Sequence, residues 1–188
     1  MTLIEVLIAM TLVGLVLTKL TLVMDEARKA HQKESLSMLL DDQANELMDK
    51  ISFAIIGASA ESLDPLPIAP FPSATIHYQV SLGVEDGQPV LDEPEIIGLH
   101  EGNGQVYWGQ NVGEINERVV VWANIVSAML EDELATGIDD NGNDLADELG
   151  LAFVLDKRSV TIRLSLERTG DEGKKVQVTK ETTVTCRN

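Results

Sequence analysis

The chain has one cysteine, Cys186, so no disulfide can form within it. A small buried residue at the end of a strand is the expected role of that thiol. Aromatic side chains make up only 4% of residues, so a core must come mainly from Val, Ile and Leu within an apolar content of 44%. Bases are scarce too: 14 Lys and Arg stand against 31 Asp and Glu, a net charge of −17. A field of that sign repels phosphate backbones and excludes a DNA or RNA role, while it favours cations. Catalytic signatures are missing. His31, His77 and His100 are scattered, with no nucleophile motif, phosphate-cradling glycine loop or zinc spacing around them. No enzyme is expected. With 188 residues there is room for one domain and an appendage.

Proline is also missing before Pro65, and what fills that space is long and apolar. From Thr2 to Met24 the polar exceptions are few: Glu5, Lys19 and scattered threonines. A membrane-spanning helix needs about 20 such residues. A secretory signal peptide is not expected, because a basic n-region and a small-x-small cleavage site are lacking. The run continues without a break into DEARKAHQKESLSMLLDDQANELMDKISFAII. There Leu36, Leu40, Gln43/Ala44, Leu47, Ile51 and Ala54/Ile55 form one stripe at steps of three or four, and Gly57 offers a stop. The spacing predicts one helix from Thr2 to Ile56, on the order of 80 Å long. Its first half, apolar all round, must be buried in lipid or in other copies of itself. The stripe of its second half must lie on a globular domain of the same chain.

Glu5 is the residue that apolar run does not explain. A carboxylate within hydrocarbon is costly and marks a functional position, unless it lies near enough to the end of the segment to reach the headgroups. Lys19, near the other end, can snorkel to an interface.

The consecutive residues Thr2, Leu3, Ile4, Glu5, Val6, Leu7, Ile8 and Ala9, after Met1, resemble the mature N-terminus of the type IV pilin and type II secretion pseudopilin family, of class III type. The close match covers the first 25 residues or so. The resemblance implies that a prepilin peptidase removes a short leader, leaving Met1 as a processed, commonly N-methylated N-terminus. It implies a subunit held in the inner membrane, then packed helix-first by an inner-membrane assembly platform into a helical homopolymer, alongside other pilins. It also implies that Glu5 meets the N-terminal amine of a neighbouring copy, two costly charges neutralising each other in an apolar core. Two departures stand out: Met1 replaces the usual Phe, and Leu22 stands where many major pilins have a helix-bending proline. Gly14 is left as a weak point where the helix can loosen.

Three parts follow: a hydrophobic membrane or filament-core helix over 1–24, its amphipathic continuation over 25–57, and a β-rich head over 58–188. The Pro-rich SLDPLPIAPFP, from Ser62 to Pro72, reads as an irregular connector. ATIHYQVSL, EIIGLH and QVYWGQ read as strands with EDGQ and EGNG as turns, and VVVWANIVSAML as a strand and its continuation or a strand and bend. In the last hairpin Val160, Ile162, Leu164 and Leu166 share one face. Its second strand places Val176, Val178, Val184 and Cys186 on one parity, interrupted by Lys180 and Thr182. The expected fold class is α+β, with the helix's second half packed on a C-terminal antiparallel sheet.

A second stretch with site-like spacing is GIDDNGNDLADELG, 137–150. With Asp139 as position 1, Asn141, Asn143, Leu145 (by its carbonyl) and Asp147 fall at 3, 5, 7 and 9, followed by Glu148. Alternating oxygens about a Gly-containing turn suit calcium, and the spacing resembles an EF-hand loop and the calcium loops of some minor pseudopilins. Asp144 replaces the usual glycine, and Gly150 stands where the bidentate acid belongs, so that acid must be Asp147, Glu148 or another such as Asp132. The alternative is an Asx-rich loop whose side chains cap their own backbone.

The functional expectation is a structural subunit polymerising through its N-terminal helix into an extracellular pilus-like filament for adhesion, twitching motility or contact. The alternative is a minor pilin or pseudopilin at the tip of a periplasmic type II secretion pseudopilus.

Overall fold

The computed structural model describes residues 2–65, 72–100, 102–170 and 173–186. One helix, α1 (Leu3–Ile56), is followed by a 3-10 turn (Ala60–Ser62). Eight strands come next: β1 (Pro72–Ser73), β2 (Thr75–Glu85), β3 (Gln88–His100), β4 (Gln105–Gln110), β5 (Arg118–Ala123), β6 (Leu151–Asp156), β7 (Ser159–Thr169) and β8 (Lys175–Thr185). They form two four-stranded antiparallel sheets, ordered β1-β6-β7-β8 and β2-β3-β4-β5. The class is α+β, and α1 packs on β7 and β8.

The stripe on α1 is what makes this contact. Leu40, Ala44, Leu47, Ile51 and Ile55 are buried, joined by Met48 one step off the stripe, while Leu36 and Ala54 lie at its margin. They meet the inner face of β7, where Val160, Ile162, Leu164 and Leu166 are wholly buried by strand alternation. The polar interruption in β8 has a physical reason. Lys180, paired in register with Leu164, reaches α1 and forms an ion pair with Asp41. That hydrogen bond to Lys180 holds the Asp41 carboxyl below its ordinary range. On the outer face of the hairpin Thr161 pairs with Thr183 at 2.9 Å and Ser165 with Thr179 at 2.9 Å, as cross-strand hydroxyl contacts do. Cys186 is buried just past the end of β8, and burial pushes its thiol up.

The second sheet has a polar anchor of its own. Glu95 accepts hydrogen bonds from Tyr78 Oη (2.6 Å) and Trp108 Nε1 (2.9 Å) across three strands. Burial, then the hydrogen bond to Glu95 and its charge, pushes the Tyr78 phenol far up.

Past β5 the chain bends and runs along β7. Ser127 N donates to the Ser165 carbonyl and Glu167 N to the Ile125 carbonyl, so VVVWANIVSAML is a strand and bend. Gly150 crosses so close to the Ser127 carbonyl that an added Cβ would lie 1.9 Å from its oxygen. That approach ties the acidic loop to the sheet under α1.

Three features differ from the expectation. LAFVLD, unassigned from the sequence, is β6 and completes the C-terminal sheet. β3 begins at Gln88, well before EIIGLH, and carries Pro89 and Pro94 within it. The strands divide between two sheets, and the one carrying β7 and β8 makes the main contact with the helix. Part of the connector expected over Ser62–Pro72 lies outside the described residues.

Candidate functional site

Two places hold the residues singled out in the sequence. The first is the start of α1. No residue from 2 to 35 is buried, and Leu3, Met10, Leu15 and Val16 are each more than half exposed. Covering a Leu or Val side chain is worth about 2 kcal/mol, so a helix this apolar does not rest bare in water. It is long and apolar enough to cross a membrane. Its hydroxyls suit such surroundings. Thr11 donates to the Leu7 carbonyl (2.9 Å), Thr18 to Gly14 (2.8 Å) and Thr21 to Leu17 (2.7 Å), so each is satisfied inside its own helix.

Glu5 sits in the first turn. Its Oε2 accepts the backbone N–H of Thr2 at 2.8 Å, the reach-back half of a capping box. In the single chain the carboxylate therefore satisfies an otherwise open N–H and lies near the positive end of the helix dipole. Met1, expected as the processed terminus, lies outside the described residues.

The second place is the loop 137–150, between β5 and β6. Asp139 organises it: its carboxylate accepts the backbone N–H groups of Gly142 (2.6 Å), Asn143 (3.2 Å) and Asp144 (2.8 Å). Burial pulls its carboxyl up, but the N–H groups of Asp144, Gly142 and Asn143 together outweigh that and hold it below its ordinary range. Asp144 adopts φ +67°, the left-handed conformation that a glycine at this loop position supplies and that Asp tolerates. Asp147 Oδ1 accepts from Thr136 N and Gly137 N, both at 2.8 Å. The Leu145 side chain is buried.

Glu148 has no exposed surface, and Arg163 of β7 donates to it at 2.7 Å while also donating to Glu181 of β8 at 2.7 Å. Asn143 Nδ2 donates to the same Glu148 carboxylate, with Asn141 Nδ2 at 3.5 Å. One buried carboxylate thus gathers the loop's two asparagines and pins them to the sheet through Arg163.

Glu133 was not foreseen from the sequence. It is 4% exposed, accepts Asp147 N at 2.8 Å through Oε1, and its Oε2 has no hydrogen-bond partner. Asn141 Oδ1 is buried without a partner as well. Asp132, beside Glu133, is in the left-handed conformation at φ +61°. Among the described residues no three acidic, histidine or cysteine side chains converge as a metal-sized group. Glu133 belongs to no spacing pattern with the loop; only the fold brings its carboxylate to Asp147.

No protein-family model matches the chain, and no curated protein or solved structure is significantly similar to it.

Proposed function

We propose that the chain is a structural subunit that polymerises through the N-terminal half of α1 into a pilus-like filament. The observation that carries this reading is the uncovered apolar half of a helix whose other half is already packed on its own sheet. Such a helix occupies the bilayer before assembly and the filament interior afterwards. Glu5 changes partner between these states. In the single chain it caps Thr2 N; in the filament it pairs with the N-terminal amine of a neighbouring copy, which removes two charges from an apolar interior and sets the axial step. Partners on this reading are further copies, other pilins, the prepilin peptidase and an inner-membrane assembly platform. The resting place is the inner membrane and the final one an extracellular fibre.

The acidic loop has a structural part in this proposal. The unpartnered buried oxygens of Glu133 and Asn141 suit a hard cation, and calcium would order the loop by drawing Asp139, Asn143, the Leu145 carbonyl and Asp147, which do not converge in the single chain, towards them. Glu148 serves Arg163 instead. Calcium should raise the unfolding temperature of the chelator-treated protein, and an unchanged temperature counts against the ion.

Shearing filaments from native cells and identifying their main protein by mass spectrometry tests the filament reading. Fibres built mainly of this chain support it. Fibres in which it is only a trace transfer the chain to the tip of a secretion pseudopilus or to a minor pilin role.

A further inference from the structure

Charge is divided very unevenly along this chain. Between Pro72 and Asp156 the sequence carries 17 Asp and Glu and a single basic residue, Arg118, so nearly the whole net charge of −17 lies in this stretch. The stretch contains the sheet β2-β3-β4-β5 and the acidic loop. The helix and the β7–β8 hairpin are close to balanced.

At the border of that acidic sheet lies β5. It pairs with β4 on one side, and among the described residues no strand pairs with its other side. Val119, Val120 and Val121 are 47%, 48% and 51% exposed, so β5 is uncovered on both faces as far as Val121, while Trp122 and Ala123 pack against the core. Val112 and Ile115, in the connection leading into it, are exposed too. An open edge of this kind is a template for another chain. Natural sheets usually block such edges with lysine, proline or an inward-pointing charge. From Val119 to Trp122 β5 has none of these.

We infer that the β5 edge receives an extended, basic segment of another protein by strand addition. Backbone groups of β5 that point away from β4 supply the ladder. The three valines supply apolar contacts on both faces, at alternate positions of the incoming strand. The chemistry of the partner follows from the surrounding field. Glu114 and Glu117 flank the entry to β5, and the sheet behind them is acidic throughout, which favours lysine and arginine between the partner's apolar residues. The same field opposes a second copy of this strand. The principal contacts of α1 are with β7 and β8, and the three valines lie beyond the end of β5 that borders the helix at Trp122 and Ala123, so the site stands apart from the filament reading.

The full chain, held in detergent micelles or nanodiscs, is titrated with an acetylated hexapeptide of alternating lysine and valine. Controls are the same peptide with glutamate for lysine, and the lysine peptide with every backbone nitrogen methylated. Binding of the lysine peptide about tenfold tighter than of either control, weakening as salt rises, is the expected result. The variant Val119→Lys/Val121→Lys, with its unfolding transition unchanged, should lose that binding by about the same factor. The salt-sensitive peptide alone keeps the test valid if the variant fails to fold. Equal binding of the lysine and glutamate peptides, binding that survives backbone methylation, or no binding at all would overturn the inference. So would self-association of the wild-type chain mapped to β5, which assigns the edge to a second copy.

Discussion

Residues 3–35 and 36–56 of α1 share one continuous backbone but meet opposite surroundings. The first stretch has no buried residue; the second seals six side chains against β7 and β8. Helical hydrogen bonding is the same in both, so what separates them is where the apolar residues lie around the axis. A stripe can be satisfied by one sheet. A full apolar circumference cannot, and it calls for a surrounding medium or a ring of neighbours. On the proposed reading, the helix serves folding in one half and association in the other.

Substitutions can break this comparison directly. Ile51→Ala opens a cavity beneath the sheet and should cost about 4 kcal/mol in urea unfolding of the full chain in detergent. Leu12→Ala, on the uncovered half, should change the same transition by less than about 0.5 kcal/mol. Comparable losses at the two positions would mean that the first half is packed against its own head.

Next in size comes the clasp that holds the loop on the C-terminal sheet. Arg163→Met leaves Glu148 buried and unpaired, at a cost of about 3 kcal/mol. The double variant Arg163→Met/Glu148→Leu should recover most of that loss, because no stranded charge remains. A double variant as unstable as the single one would show that the pair acts by more than charge.

The smallest effect is local. The folded-state carboxyl of Asp139 titrates below its unfolded value, so its stabilisation is present above about pH 4 and lost as pH falls through the lowered value. Amide exchange at Gly142, Asn143 and Asp144 should stay slow down to that point and quicken below it, while amides of β7 stay protected. Exchange that quickens near neutral pH would mean that another group holds the turn. In Asp139→Ala the three amides should exchange freely at every pH.

Short-range periodicity made much of this architecture readable. Helical spacing from Leu36 to Ile55 identified the face that packs, and strict alternation from Val160 to Leu166 identified the strand it packs on. Met48 escaped because it sits a step to the side of the stripe, yet it is buried in the same core cluster. β6 is a short continuous apolar run, a signal that suits a buried strand and a helix fragment equally. Pro89 and Pro94 are residues that strands disfavour, yet Gln88 onward pairs with β2. The clasp of Glu148, Arg163 and Glu181 spans distant parts of the chain, and pairing at that separation leaves no trace in local spacing. In the acidic loop the ligand-like spacing was visible. The engagement of Glu148 by Arg163 and the presence of Glu133 were not, because both depend on how the loop lies on the sheet.

The central claim is that the uncovered half of α1 assembles copies through Glu5. Its most direct test is a Glu5→Ala strain, with fibre yield measured by electron microscopy and subunit level in the membrane measured in parallel. The account predicts normal membrane levels with few or shortened fibres. Fibres of normal number and length in the mutant would contradict it.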